Sequence, residues 1–131
     1  EYYRLLQAVR DRGEWEPWIK FFLKGIAAVS NEATETAKAI VELRERHRHE
    51  IQESFGRAAG NGLKLLERLF QRPFVTVPQV SRMLDVTYPP ANDLVARFVS
   101  AGILQEVTGQ ERYRVFRFGD YINLFSPHRD I

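Results

Sequence analysis

The sequence predicts a mainly α fold: a helical segment with one long helix, followed by a C-terminal winged helix-turn-helix with a small β-ribbon. Three observations predict it. Apolar residues recur in alternating steps of four and three from Trp15 to His47; residues 63–118 run helix, short extended piece, helix, tight turn, helix, two strands; and three glycines fall within 56–62. The corresponding division is 1–55, a linker at 56–62, and 63–131.

Taken in order, residues 1–12 form a short helix with Tyr2, Leu5, Leu6 and Val9 on one face and Arg4, Gln7, Arg10 and Asp11 opposite, closed by Gly13. Pro17 suits the first turn of the next helix, because its missing N–H has no intrahelical partner there. The seam of that helix is Trp15, Ile19, Phe22, Ile26, Val29, Ala33, Thr36, Ile40, Leu43 and His47. No proline interrupts 18–55, so the helix continues to about Ser54, with a break predicted near Ser30-Asn31 if anywhere. At 1.5 Å per residue it spans roughly 55 Å, more than so small a body covers. Its seam therefore calls for another helix, from a second subunit or from a part of the protein outside this chain.

The winged part opens with a helix over 61–71, striped by Leu63, Leu66, Leu69 and Phe70 and stopped by Pro73. Phe74-Val75 reads as a short strand for the wing to pair with. Thr76 and Gln79 form a T-x-x-Q capping box with Pro78 in the first turn, and Val80, Met83 and Leu84 are the buried side of that helix. Asp85-Val86-Thr87 is the turn. Thr87 caps a third helix with Pro89 and Pro90 in its first turn and Ala91, Leu94, Val95 and Phe98 facing the core. Gly102 ends it, and 103–107 and 113–118 are the wing strands around a loop containing Gly109. Residues 120–125 make a last helical turn packing back on this body, ended by Ser126-Pro127.

Composition sets the limits. At 131 residues, 44% apolar and 27% charged, the chain holds one globular domain or two small ones. The absence of cysteine excludes disulfides and thiolate metal sites and fits a reducing compartment, so the cytoplasm is the expected location. No apolar run approaches the roughly 20 residues that cross a bilayer, and no membrane partner or signal peptide is indicated. Net charge is +2 overall, and it sits in the winged part, where nine lysines and arginines face seven aspartates and glutamates. The chain starts at Glu1 and its one methionine is Met83, which predicts a piece of a longer protein.

Two stretches carry a resemblance. Residues 1–10 (EYYRLLQAVR) and 13–23 (GEWEPWIKFFL) look like the tail of the Fic domain in bacterial Fic-family proteins. Tyr88-Pro89-Pro90-Ala91-Asn92, residues 102–109 and Arg112-Tyr113-Arg114-Val115-Phe116 are similar to the winged-helix module that follows the Fic core in many members. Together they span nearly the full chain in the family's order. The resemblance implies a parent that transfers AMP from ATP, with Mg²⁺, to a target hydroxyl through an H-P-F-x-[DE]-G-N-G-R-x-x-R motif. That motif is absent; Gly60-Asn61-Gly62 repeats three of its letters without the preceding His-Pro-Phe or the following arginines and reads as linker. The piece is thus expected to be no enzyme by itself, to hold no catalytic residue and no cofactor, and to have the missing Fic core as a partner.

Other candidate sites are weaker. In Arg46-His47-Arg48-His49 the two histidines are two apart on a helix and do not share a face, so no metal site is expected. Trp15 and Trp18 read as core or contact aromatics. The sharper candidates are the residues turned away from the winged core: Thr87, Tyr88, Asn92 and Arg97 on the third helix, Gln110, Arg112 and Arg114 on the wing.

Two functions follow from different classes. In the first, the third helix enters the major groove of DNA, where asparagine can read adenine and arginine guanine with paired hydrogen bonds, and the wing meets the backbone or minor groove. Against it stand the low charge, Asp93, where family members often carry a basic residue, and Pro90, where they often carry threonine. In the second, the module binds protein only, presenting targets to the Fic core or restraining it. In either case Ile19, Phe22, Ile26, Val29, Ile40 and Leu43 form a seam for self-association or for docking on that core.

Overall fold

A computed structural model describes residues 1–125, so the expected stop at Ser126-Pro127 lies outside the described residues. The fold is mainly α with a small antiparallel sheet, and the chain divides into two compact units, Glu1–Lys38 and the part from Ala39 on. In the first unit α1 (Tyr2–Arg12) ends at Gly13, whose left-handed φ of 65° lets its N–H reach the Val9 carbonyl at 3.0 Å. Leu5 and Ala8 are buried, whereas Tyr2 is exposed. The long helix α2 (Trp15–Ser54) runs unbroken through Gly25 and Ser30-Asn31. None of these residues lacks a backbone N–H, so they weaken the helix without interrupting its ladder. Its first-unit seam residues Trp15, Ile19, Phe22, Ile26, Val29 and Ala33 are exposed.

In the second unit the same seam is filled by the chain itself. Leu43 is part of the winged body's core, His47 is buried, and the pattern continues in four-residue steps to Ile51 and Phe55, which the sequence reading left out of the seam. Leu43 is therefore no open contact surface, and Ile40 is half-buried. Residues 56–62 are no linker either. A single 3-10 turn (Gly56–Ala58) leads directly into α3 (Ala59–Gln71), and Gly62 is buried against the end of α2. A Cβ there would stand 2.9 Å from Ile51 Cγ2 and 3.1 Å from Phe55 Cδ2. Glycine at this place permits close packing of two helices; it does not loosen the chain. α3 buries Leu65 as well as Leu66 and Leu69, while Leu63 and Phe70 are half-buried at its sides.

The remaining elements follow the expected order. β1 (Phe74–Thr76) leads into α4 (Val77–Leu84) through a complete capping box: the Gln79 N–H donates to Thr76 Oγ1 at 3.3 Å and the Thr76 N–H to Gln79 Oε1 at 2.9 Å. Val77 and Val80 form the buried side of α4, and Met83 is exposed, contrary to expectation. Asp85 ends α4 in the left-handed region (φ 54°, ψ 49°), a conformation aspartate tolerates better than most residues. α5 (Tyr88–Ser100) buries Ala91, Leu94, Val95 and Phe98 as its spacing predicts. Thr87 precedes it, but its side chain makes no capping bond. At the other end Gly102 (φ 78°) closes a Schellman motif, its N–H on the Val99 carbonyl and that of Ile103 on Phe98. β2 (Gln105–Glu106) and β3 (Val115–Arg117) are shorter than the apolar runs implied, because Ile103, Leu104 and Phe118 turn into the core at the strand ends. The sheet order is β1-β3-β2, with Val75 opposite Phe116 and Glu106 opposite Phe116 on the other side. α6 (Gly119–Asn123) packs back, Tyr121 lying 5.0 Å from Phe70 and 5.7 Å from Phe118 between ring centroids.

Two substitution pairs check this packing in denaturant melts. Gly62→Ala is expected to cost about 1–3 kcal/mol because Ile51 is stiff and fully enclosed, whereas Gly60→Ala, with nothing within 4 Å, gains up to about 1 kcal/mol. Thr76→Ala is expected to cost about 1 kcal/mol and Thr87→Ala less than about 0.5, since only the first side chain caps.

Candidate nucleic-acid interface

Tyr88 at the start of α5 and the wing line one cleft. It encloses about 420 Å³ and is lined by Thr76, Val77 and Pro78 at the start of α4, by Tyr88 of α5, and by Glu111, Arg112, Tyr113, Arg114 and Val115 of the wing. The helix-turn-helix places the two helix starts side by side, and β3, pinned between β1 and β2, carries the wing up beside them.

The seven expected residues separate into groups. Thr87, Tyr88 and Arg112 are exposed, and Arg112 has no ion-pair partner among the described residues. Asn92 and Arg114 are half-buried and hold one another, Arg114 Nη2 donating to Asn92 Oδ1 at 2.8 Å across 22 positions of sequence. The same guanidinium stands 5.5 Å over the Phe116 ring and 4.0 Å from Glu106 Oε1. Gln110 is exposed but engaged within the loop, its amide donating to the Tyr113 carbonyl at 3.0 Å.

Arg97 does not join this face. It follows Asn92 by five residues, about 140° around the helix. Its Nη1 donates to the Phe55 carbonyl at 3.4 Å and its guanidinium lies 5.9 Å from the Phe55 ring, so it braces α5 against the end of α2. Sequence spacing showed that Arg97 avoids the core without showing which side it takes. Six cleft residues, Thr76, Val77, Pro78, Glu111, Tyr113 and Val115, are not among the expected site residues. Tyr113 is 87% exposed at the wing tip with φ 57°, a backbone setting that a bulky residue rarely adopts. Pro78 also lines the cleft, and Glu111 brings a carboxylate into it. With Asp93 exposed on α5, the face mixes both signs of charge.

Elsewhere, His47 sits between two carboxylates, Nδ1 at 3.3 Å from Glu50 Oε2 and Nε2 at 3.6 Å from Asp120 Oδ2, while His49 is exposed. No cluster of three metal-ligating side chains occurs among the described residues, and no helix there is long and apolar enough to cross a membrane. The first unit has its own apolar groove of about 420 Å³, lined by Tyr2, Trp18, Phe21, Phe22, Gly25, Ile26, Val29 and Ser30. Trp18 and Phe22 stack there at 5.3 Å. The comparison with known protein families bears on the second unit alone: residues 63–117, from α3 through β3, match the family described as HTH DNA binding domain.

Proposed function

We propose that the second unit binds duplex DNA, with α5 in the major groove and the wing loop against the backbone. The observation that carries this reading is the match of 63–117 to an HTH DNA binding domain, on a body whose α5 and wing open onto a common cleft. Tyr88 and Asn92 are the base-facing candidates, and Arg112 is the phosphate contact, being the cation of that cleft without an intramolecular partner among the described residues. The low net charge implies few phosphate contacts and a modest salt dependence.

The wider reading rests on the sequence resemblance: this is the C-terminal region of a Fic-family adenylyltransferase, inactive by itself, whose ATP and Mg²⁺ belong to the parent's core. Self-association through the exposed residues Trp15, Ile19, Phe22, Ile26 and Val29 completes it, since exposed apolar patches of this kind mark contact surfaces.

Duplex titrations at two salt concentrations test the DNA reading. Affinity is expected to fall with salt, Arg112→Ala to lower the logarithmic salt slope by about one, and Arg97→Ala to leave it unchanged. No binding at low salt removes the reading. Sedimentation over a range of concentrations tests the second part: association is expected for the native chain and its loss for Ile26→Glu, and a strict monomer throughout rejects the seam.

A further inference from the structure

Asparagine on a recognition helix ordinarily presents both ends of its amide to a base, and so can pair with adenine. Here one end is taken. The Arg114 guanidinium has donors and no acceptor, so the 2.8 Å bond to Asn92 can be made only by the amide oxygen. That fixes which way the amide points, and its Nδ2 group is left without a hydrogen-bond partner among the described residues. Arg114 is itself held in place, over the Phe116 ring and beside Glu106, and it directly precedes strand β3. Its charge is partly answered by Glu106, which makes it a weak choice for a phosphate.

Resting on the DNA reading above, we infer that Asn92 meets the major groove as a donor and selects guanine over adenine, with Arg114 as the positioning residue that sets this polarity. Guanine offers two acceptors, N7 and O6, whereas adenine offers N7 beside an amino group whose hydrogens would face those of Nδ2. Removing Arg114 frees the amide to turn over, and adenine becomes acceptable.

The experiment selects duplex sites with the full chain. It then compares guanine with adenine at each selected position for the native protein, Arg114→Ala and Arg114→Lys, at two salt concentrations. The native chain is expected to prefer guanine at one position by about 10-fold. Arg114→Ala is expected to bring that ratio close to one while changing the salt slope by less than one contact, and Arg114→Lys, which keeps a donor for Oδ1, to retain most of the preference. Replacing the selected guanine with 7-deazaguanine weakens binding by the native protein, a readout independent of how any variant folds. The inference is overturned if the native chain selects adenine there, if 7-deazaguanine binds equally well, or if Arg114→Ala keeps the preference and loses a phosphate contact from the salt slope. Absence of any duplex binding by the native chain overturns the DNA reading and this inference with it. A bound duplex with the wrong preference overturns this inference alone.

Discussion

The approach of Ile51 and Phe55 to Gly62 is the contact on which the second unit depends. It joins the end of α2 to the start of α3 at a separation that admits no side chain on the glycine. Phe55 then carries the contact onward, its ring set edge-to-face against Phe98 of α5 at 5.5 Å and its carbonyl receiving Arg97. Aromatic pairs of this geometry contribute about 0.5–1.5 kcal/mol beyond their burial. α5 is thus held from behind by Phe55, which lies outside the segment that matches the DNA-binding family. That segment is not the whole packed body, and Leu43, Ile51 and Phe55 belong to its core as fully as Leu66 or Val95 do.

Holding α5 from behind decides what its other side can offer. Ala91, Leu94, Val95 and Phe98 are committed to the core and Arg97 to Phe55, which leaves an arc through Tyr88, Asn92 and Ala96. The wing reaches the edge of the same arc through Arg114. A ribbon of two short strands would be a poor platform alone, since isolated hairpins are marginal in water. Pairing of β3 with β1 as well as β2 gives it a third strand, and the burial of Phe116 and Phe118 anchors that strand to the core. The paired strand therefore begins at Val115, with Arg114 directly before it and Gln110 and Arg112 on the loop.

Where a local rule decided the structure, the sequence was readable. The four apolar positions of α5, the T-x-x-Q box, the Pro73 stop and the glycine after α5 each act over a few residues, and each took its expected form. Thr87 fails as a cap for a local reason, since the N–H groups it would accept are missing in Pro89 and Pro90, whereas the larger misreadings arise where a residue's partner lay far away in sequence. Three glycines in seven residues look flexible until Ile51 closes on one of them. Likewise the heptad seam was visible as a pattern, but no periodicity says that its last third is covered by the chain's own core. At the cleft, residue type found Asn92 and Arg114 separately. Their pairing across 22 positions is a tertiary fact.

The modest charge of the winged body has a consequence for how such a module can recognise DNA. Phosphate neutralisation supplies most non-specific affinity, and each contact contributes through the counterion it releases. A cleft with one uncommitted arginine, one arginine shared with Glu106 and a carboxylate at Glu111, with Asp93 exposed on α5, collects little of that energy. In the proposed DNA complex it would retain discrimination, because carboxylates beside the groove penalise loose, sequence-blind contact while leaving a well-aligned base contact intact. Affinity must then come from another term. Holding two weak modules together makes the second binding step intramolecular, raising overall affinity by about 10²–10⁴ without any new contact, provided both reach their half-sites. Exposed apolar side chains on the first unit and a scarcity of phosphate contacts on the second are complementary under the proposed self-association, which would bring two winged bodies to the same duplex.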